Sequence, residues 1–232
     1  DDASLRREMI AAMADRGISI SLGEGLTIRE DINVANYSGD LDIFSELGVE
    51  RVNTVSMDTD QGRSFDEFAV LAQMAAERNM ELTLELVPGL TVADLPTALS
   101  ALAHVDRPNF RILIDTMHLV RSGSGPSDIA ALDPNLIGYV QLCDAPLKPR
   151  FESYFEESMF ERMVPGEGEL VLRELVAVLP VDRVYSVEIP LRSEAEAGLG
   201  PRERLEKCVL GARRLLTDAH GEASTGIVKS KY

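Results

Sequence analysis

Four polar side chains stand at or near the ends of apolar, strand-like runs, where they could act together on a small molecule. They are Glu85, Asp115, Gln141 and Glu188. Burying three carboxylates together without compensation would cost several kcal/mol each, or would force protonation. A divalent cation removes this difficulty, so the set predicts a metal site.

The donor types of this set indicate which ion it would hold. Three carboxylates and one amide make an all-oxygen set, which favours a hard ion such as Mn²⁺ or Mg²⁺. Co²⁺ could substitute, and Zn²⁺ is a further alternative, although zinc prefers His and Cys ligands. We therefore expect one divalent metal ion, manganese or magnesium first.

A histidine follows one of these carboxylates at a fixed spacing. The run RILIDTMHLVRSG, residues 111 to 123, places His118 three residues after Asp115, in a chain with only three histidines. Imidazole is a common carrier of protons in enzyme sites. This spacing makes His118 a candidate catalytic residue beside the metal.

The elements that must position these residues are short strand-like runs that alternate with amphipathic helical stretches. Repeated βα units of about 30 residues predict an α/β fold with a parallel sheet and helical crossovers. The predicted strands are 18–22, 52–57, 81–87, 111–115, 137–143 and 184–189. The predicted helices include 4–17, 64–79, 91–105 and 168–179.

The strand pattern favours a closed barrel over an open sheet. In ELTLELV (81–87), Leu82, Leu84 and Leu86 share one face, while Thr83 and Glu85 share the other. Several strands likewise turn small or polar groups to one side, with acidic groups late in the strand, where a TIM barrel keeps its active site. A complete barrel needs eight strands. We therefore expect either two further βα units before this sequence or a sheet that is not closed.

Bulk composition excludes several functional classes. A formal charge of −16 opposes binding to nucleic acid or to an anionic membrane, and we see no basic cluster. Two distant cysteines and the absence of a signal-like or membrane-spanning run predict a cytoplasmic protein. The polar, aperiodic residues 217–232 are expected to form a C-terminal tail.

The motifs together resemble the xylose-isomerase-like TIM-barrel superfamily, the sugar phosphate isomerases and epimerases that share the barrel of AP endonuclease family 2. The resemblance extends over most of residues 17–216, and it implies that the strands are three to eight of a (β/α)8 barrel in a single domain, 1–216. The motifs that carry it are LTLELVPG, LIDTMHLVRSG, IGYVQLCDAP, RMVPGEGEL and YSVEIP.

The resemblance also implies roles for single residues. Glu85, Asp115 and Glu188 fall on metal-ligand positions, and His118 falls on the Asp-x-x-His position near the substrate. Gln141 stands where the fourth ligand is often His, and the resulting set is similar to that of the 3-dehydroshikimate dehydratases of the same superfamily. Arg162 and Glu167 match a loop near the barrel mouth and are implied substrate contacts. Three histidines cannot build the zinc cluster of the endonuclease IV branch.

The implied reaction starts from a small sugar, sugar phosphate or related hydroxy-ketone. The metal would hold two neighbouring oxygens and stabilise an enediolate, while Glu85 or Glu188 acts as base and His118 moves a proton at an oxygen. Isomerisation and epimerisation are the first prediction, and dehydration of a 3-dehydroshikimate or inosose type shares the same intermediate. A barrel that binds a metabolite without turnover is the alternative from another class. A homodimer is common in the family.

Overall fold

The computed structural model describes residues 2–221, and the predicted tail beyond residue 221 lies outside the described residues. Within this range the first four strands pair with one another in chain order and the last two pair with each other, all in parallel. The predicted α/β class with a parallel sheet is thus confirmed. The strands are β1 (Gly23–Ile28), β2 (Arg51–Ser56), β3 (Glu81–Glu85), β4 (Phe110–Asp115), β5 (Ile137–Leu142) and β6 (Val184–Val187).

Ten α-helices occur in the described residues, and two short 3-10 helices lie at Val34–Tyr37 and Pro134–Leu136. No helix in this part of the chain is long and apolar enough to cross a membrane. The helices are α1 (Ala3–Arg16), α2 (Ser38–Glu46), α3 (Gln61–Ala76), α4 (Leu95–Val105), α5 (Thr116–Arg121), α6 (Pro126–Ala130), α7 (Tyr154–Phe160), α8 (Leu172–Val178), α9 (Arg192–Glu196) and α10 (Pro201–His220).

The backbone divides into two compact units, one ending at Leu113 and the next starting at Ile114. In the first unit, β3 pairs with β2 and with β4, and Leu82 and Leu84 are completely buried. Helices α3 and α4 pack against each other, and aspartates cap both at their first turns. Alternating apolar residues in strands and a 3.6-residue period in helices explain this core.

The first predicted strand, 18–22, was wrong: the strand forms five residues later, at Gly23–Ile28. Two glycines and a register shift between Gly23 and Leu26 interrupt the alternation that would mark β1 in the sequence. A Cβ at Gly23 would lie 2.9 Å from the ring of Phe44, so a larger residue there would displace that ring. The glycines and the register shift together hid this strand from the sequence pattern.

In the second unit, β5 is buried along its whole length and pairs with β6. Helix α10 packs on α8, and Cys208 of α10 lies in a small cluster with Val164 and Leu191. Helix α10 continues to His220, so the predicted tail boundary at 217 falls inside a helix. The assignment of residues 1–216 to one barrel domain stays a prediction.

Candidate active site

Asp115 ends β4 and also caps α5, which explains the Asp-x-x-His spacing. Its Oδ1 accepts the backbone N–H of His118 at 2.9 Å, as an N-cap residue does. Both side chains are buried, and a carboxylate oxygen of Asp115 lies within 4.8 Å of a ring nitrogen of His118. The change from strand to helix thus brings a carboxylate and an imidazole to one place.

Arg162 brings two carboxylates together on a single nitrogen. Its Nη1 lies 2.5 Å from Oδ2 of Asp115 and 3.2 Å from Oε2 of Glu188, which follows β6. Burial alone would raise the pKa of Asp115, but the charge of Arg162, with help from His118, holds that pKa below its usual value. Despite its own burial, Arg162 has its pKa raised well above the ordinary value by Asp115. Both groups are therefore ionised at neutral pH.

His118 is buried between Tyr154 and Arg162. Its Nδ1 is hydrogen-bonded to the hydroxyl of Tyr154, and its Nε2 lies 3.4 Å from Nη2 of Arg162. Burial lowers the pKa of His118 to about 4, and Arg162 adds to this effect against the opposing charge of Asp115. The imidazole is therefore neutral at physiological pH and can accept a proton.

Gln141 and Cys143 come from the buried strand β5 and the residue just beyond it. Gln141 is 4% exposed and stands in register with Ser186, two residues before Glu188. The Sγ of Cys143 lies 3.4 Å from Nη1 of Arg162. Burial raises the pKa of the Cys143 thiol to about 12, so it stays protonated.

Glu85 ends β3 in the first unit. Its Oε2 accepts a hydrogen bond from Nδ2 of Asn53 at 2.8 Å, and Oδ1 of Asn53 accepts one from Thr83 at 3.0 Å. Glu85 stands in register with Leu113, two residues before Asp115 on the same strand. A buried amide thus fixes the direction of this carboxylate.

The two predicted substrate contacts occupy different surroundings. Arg162 is 2% exposed and paired with protein carboxylates, whereas Glu167 pairs with Lys207 of α10 at 3.3 Å. The loop between them is held by Asp144, whose carboxylate accepts the backbone N–H groups of Ala145, Gly166, Gly168 and Leu170. Both assignments as substrate contacts stay predictions.

The donor chemistry of the second unit fits a divalent cation. The carboxylates of Asp115 and Glu188 converge on one cationic nitrogen, and Gln141 of β5 offers a neutral amide oxygen. Carboxylate and amide oxygens are the ligands that Mn²⁺ and Mg²⁺ prefer. The residues present therefore fit the predicted ion in type.

Sequence reasoning missed two residues that shape this region. Tyr154 lies on a loop helix with no strand-end position to mark it, and Asn53 lies within β2. The only signal for Asn53 was an amide side chain within a predicted strand.

Comparison with known proteins gives a family match over most of the chain. Residues 2–207 match the family model described as xylose isomerase-like TIM barrel. A 3-dehydroshikimate dehydratase of Pseudomonas putida is 25% identical over 184 residues, which cover 74% of this chain. The match extends over only 29% of that protein's length.

Solved structures share the fold at low identity. The IolI protein, crystallised with a zinc atom, has a TM-score of 0.82 and 19% identity, covering 94% of this chain and 83% of its own. A D-psicose 3-epimerase, crystallised in the presence of D-fructose, has a TM-score of 0.70 and 14% identity, covering 93% and 85% of the two chains. At such identities these likenesses show the fold alone.

Proposed function

The chain belongs to the xylose isomerase-like TIM barrel family, and on this basis we propose that it is a divalent-metal-dependent isomerase or epimerase of a small sugar, sugar phosphate or related hydroxy-ketone. One observation carries the proposal. The carboxylates of Asp115 and Glu188, from the ends of two strands, meet at one nitrogen of Arg162, with the neutral imidazole of His118 alongside. Such a group can bind a cation and move a proton in one place.

The metal ligands in this proposal are Glu85, Asp115, Gln141 and Glu188. For Asp115 and Glu188 the support is their convergence in the second unit, and for Gln141 it is the register of β5 with β6. For Glu85, at the end of β3, the support is its pairing with Leu113 of β4, the strand that continues to Asp115. A divalent cation held there would polarise a substrate carbonyl and stabilise the negative charge that develops when the adjacent carbon loses its proton.

Proton movement in this proposal is divided among three residues. Glu188, whose side chain is 40% exposed, or Glu85 takes the proton from carbon. His118, neutral because its pKa is lowered to about 4, accepts a proton from a substrate hydroxyl and returns it. Return of the carbon-bound proton to the neighbouring carbon gives isomerisation, and return to the opposite face gives epimerisation.

Dehydration is a second candidate, and two observations favour it. With Gln141 as the fourth residue, the proposed metal ligands are Glu, Asp, Gln and Glu. This ligand set is similar to that of the 3-dehydroshikimate dehydratases. The relative from Pseudomonas putida is also named as a 3-dehydroshikimate dehydratase. In this reaction the enolate formed by loss of the carbon-bound proton would expel a β-hydroxyl group instead of taking up a proton at carbon.

The test begins with metal content. Wild-type protein and Asp115→Asn would be dialysed against Mn²⁺ and Mg²⁺, and the retained ion counted per chain by mass spectrometry. About one ion in the wild type and a loss in Asp115→Asn supports the proposed site. Glu167→Gln is the matched control, since Glu167 pairs with Lys207, and it should retain the ion. No retained ion in the wild type would contradict the proposal.

Substrate assays then separate the two reactions. Ketose and aldose sugars, their phosphates, inososes and 3-dehydroshikimate would be supplied to the metal-loaded protein. Isomerisation or epimerisation gives a product of equal mass, whereas dehydration gives a product lighter by one water, which absorbs in the ultraviolet when it is conjugated. A metal-loaded protein that turns over none of these compounds would favour a binding barrel.

A further inference from the structure

The guanidinium of Arg162 lies between two of the proposed metal ligands. Its Nη1 is 2.5 Å from Oδ2 of Asp115, and it is 3.2 Å from both Oε2 and the carbonyl oxygen of Glu188. The side chains of Arg162 and Asp115 are 2% and 0% exposed, so water and salt screen this contact little. One cationic nitrogen therefore occupies the space in which the two carboxylates would hold an ion.

Arg162 reaches this position from a fixed anchor. Its backbone N–H donates to the carbonyl oxygen of Pro190 at 2.9 Å, and its Nε donates to the carbonyl oxygen of Ser158 at 2.7 Å. Ser158 lies on α7, which is itself held by the buried ion pair of Glu157 with Arg121 at 3.3 Å. The side chain is thus held at its Nε, and the end that carries Nη1 contacts the carboxylates.

The oxygen that Arg162 contacts on Asp115 is also the one that a metal would need. Oδ1 of Asp115 accepts the backbone N–H of His118 at 2.9 Å, so Oδ2 is the oxygen better placed to meet a cation. Mg²⁺ binds oxygen ligands at about 2.0–2.1 Å, so it would compete for the oxygen that Nη1 approaches to 2.5 Å. Two cations that close to one buried oxygen repel each other strongly. Binding of one therefore opposes binding of the other.

We propose that Arg162 is an internal competitor of the metal, whose guanidinium must leave Oδ2 of Asp115 before a divalent cation binds there. The inference rests on the proposed function for the metal and adds how its binding is controlled. In one state Arg162 compensates the charge of the carboxylates, and in the other state a divalent cation does so. Because the two states exclude each other, Arg162 lowers the affinity for the metal by the same factor as the metal weakens the Arg162 pair. The site then fills only at ion concentrations high enough to displace the guanidinium.

The first test measures the metal affinity alone. Mn²⁺ would be titrated by calorimetry into the wild type, Arg162→Gln and Arg192→Gln, each treated with EDTA and then dialysed. Arg162→Gln removes the competing charge. Arg192→Gln is the matched control, since it removes an arginine charge from a pair with Glu156 at 3.0 Å in which both side chains are more than a third exposed. Arg162→Gln should bind Mn²⁺ at least about tenfold more tightly than the wild type, and Arg192→Gln should stay within about twofold of it.

The second test follows Arg162 itself in the wild type, so it does not depend on a variant that folds poorly. The guanidinium hydrogens of a buried ion pair exchange slowly with water and can be observed by NMR of ¹⁵N-labelled protein. The signals of Arg162 are assigned by their absence in Arg162→Lys. Saturation with Mg²⁺, which is diamagnetic, should accelerate the exchange of these hydrogens at least about tenfold, because displacement opens the pair.

The two tests separate this inference from the proposed function. Equal Mn²⁺ affinities of the wild type and Arg162→Gln, or slow exchange of Arg162 that persists at saturating Mg²⁺, overturn the inference and leave the metal site in place. Neither readout needs a substrate, so a protein that shows both expected effects but turns over no sugar refutes the proposed function alone. Absence of a bound ion in both the wild type and Arg162→Gln would refute the two together.

Discussion

Asp115 and Arg162 form an ion pair that is shielded from solvent. Nη1 of Arg162 lies 2.5 Å from Oδ2 of Asp115, and the two side chains are 2% and 0% exposed in that order. Removing one partner of a buried pair leaves an uncompensated charge, which destabilises a protein far more than loss of a surface pair does. This pair makes the fold and the candidate site depend on the same contact.

Arg162→Gln should therefore lower the free energy of unfolding by about 3 kcal/mol. Arg192→Gln is the control, because Arg192 pairs with Glu156 at 3.0 Å with both side chains more than a third exposed, and it should cost no more than about 0.5 kcal/mol. Urea denaturation measures both values. The double variant Arg162→Gln with Asp115→Asn should lose less than the sum of the two single losses, since the neutral pair leaves no charge behind. Equal effects of Arg162→Gln and Arg192→Gln would contradict this assignment.

The pH dependence of stability should report on His118. Burial lowers its pKa from 6.5 to about 4, so between these values the unfolded chain binds a proton that the folded chain does not. Stability should thus be unaffected by His118 above pH 6.5 and should fall by roughly 3 kcal/mol as the pH falls to about 4. The pKa of Asp115 is also lowered, so protonation of Asp115 should reduce stability only at still more acidic pH.

Urea denaturation across this pH window, in the presence of EDTA, would measure the loss. His118→Gln should remove most of the slope between pH 6.5 and pH 4. His104→Gln should leave it in place, because His104 is exposed on α4 and pairs with Asp66. A slope that persists in His118→Gln would assign the acid sensitivity to other groups.

Asp144 should be essential for the loop that carries Glu167. Asp144→Ala removes the acceptor of four backbone N–H groups, those of Ala145, Gly166, Gly168 and Leu170. Buried donors left without partners cost about 1–3 kcal/mol each, although a relaxed loop recovers part of this, so a total loss of about 3 kcal/mol is expected. Asp133→Ala, which removes a cap from an exposed 3-10 turn, should cost about 1 kcal/mol or less. Chemical denaturation and amide hydrogen exchange of residues 163–170 would distinguish the two variants.

Particular residues show what the sequence could and could not predict. Asp115 and His118 were predictable because strand alternation and the N-cap spacing are local properties of the chain. The burial of Arg162 was not predictable, because it depends on pairing with Asp115 and Glu188, which lie 47 and 26 residues from Arg162 in the sequence. Tyr154 was missed for the same reason, because its contact with His118 depends on the tertiary contacts that hold α7 in place. Local sequence patterns thus identified Asp115 and His118, whereas the burial and the partners of Arg162 and Tyr154 depend on tertiary contacts.

Two glycine-to-alanine substitutions in helices should change stability in opposite directions. A Cβ at Gly211 of α10 would collide with the side chain of Val164 and lie 3.0 Å from the carbonyl oxygen of Pro165, so Gly211→Ala should cost about 1–3 kcal/mol. A Cβ at Gly39 of α2 has no neighbour within 4 Å, so Gly39→Ala should gain about 0.5–1 kcal/mol from helix propensity. Thermal unfolding of both variants checks the signs. A stabilised Gly211→Ala would show that α10 can move away from the loop of Val164 and Pro165.

Gln141 offers a way to test the ligand set without removing it. Gln141→His would replace an amide oxygen with an imidazole nitrogen at a buried position of β5, and nitrogen ligands favour Zn²⁺ over Mg²⁺. The ratio of Zn²⁺ to Mg²⁺ affinity should therefore rise about tenfold or more, as measured by competition titration. Gln73→His on the surface of α3 is the control and should leave the ratio unchanged. An unchanged ratio in Gln141→His, with the fold intact, would remove Gln141 from the ligands and leave the three carboxylates as the set to be tested next.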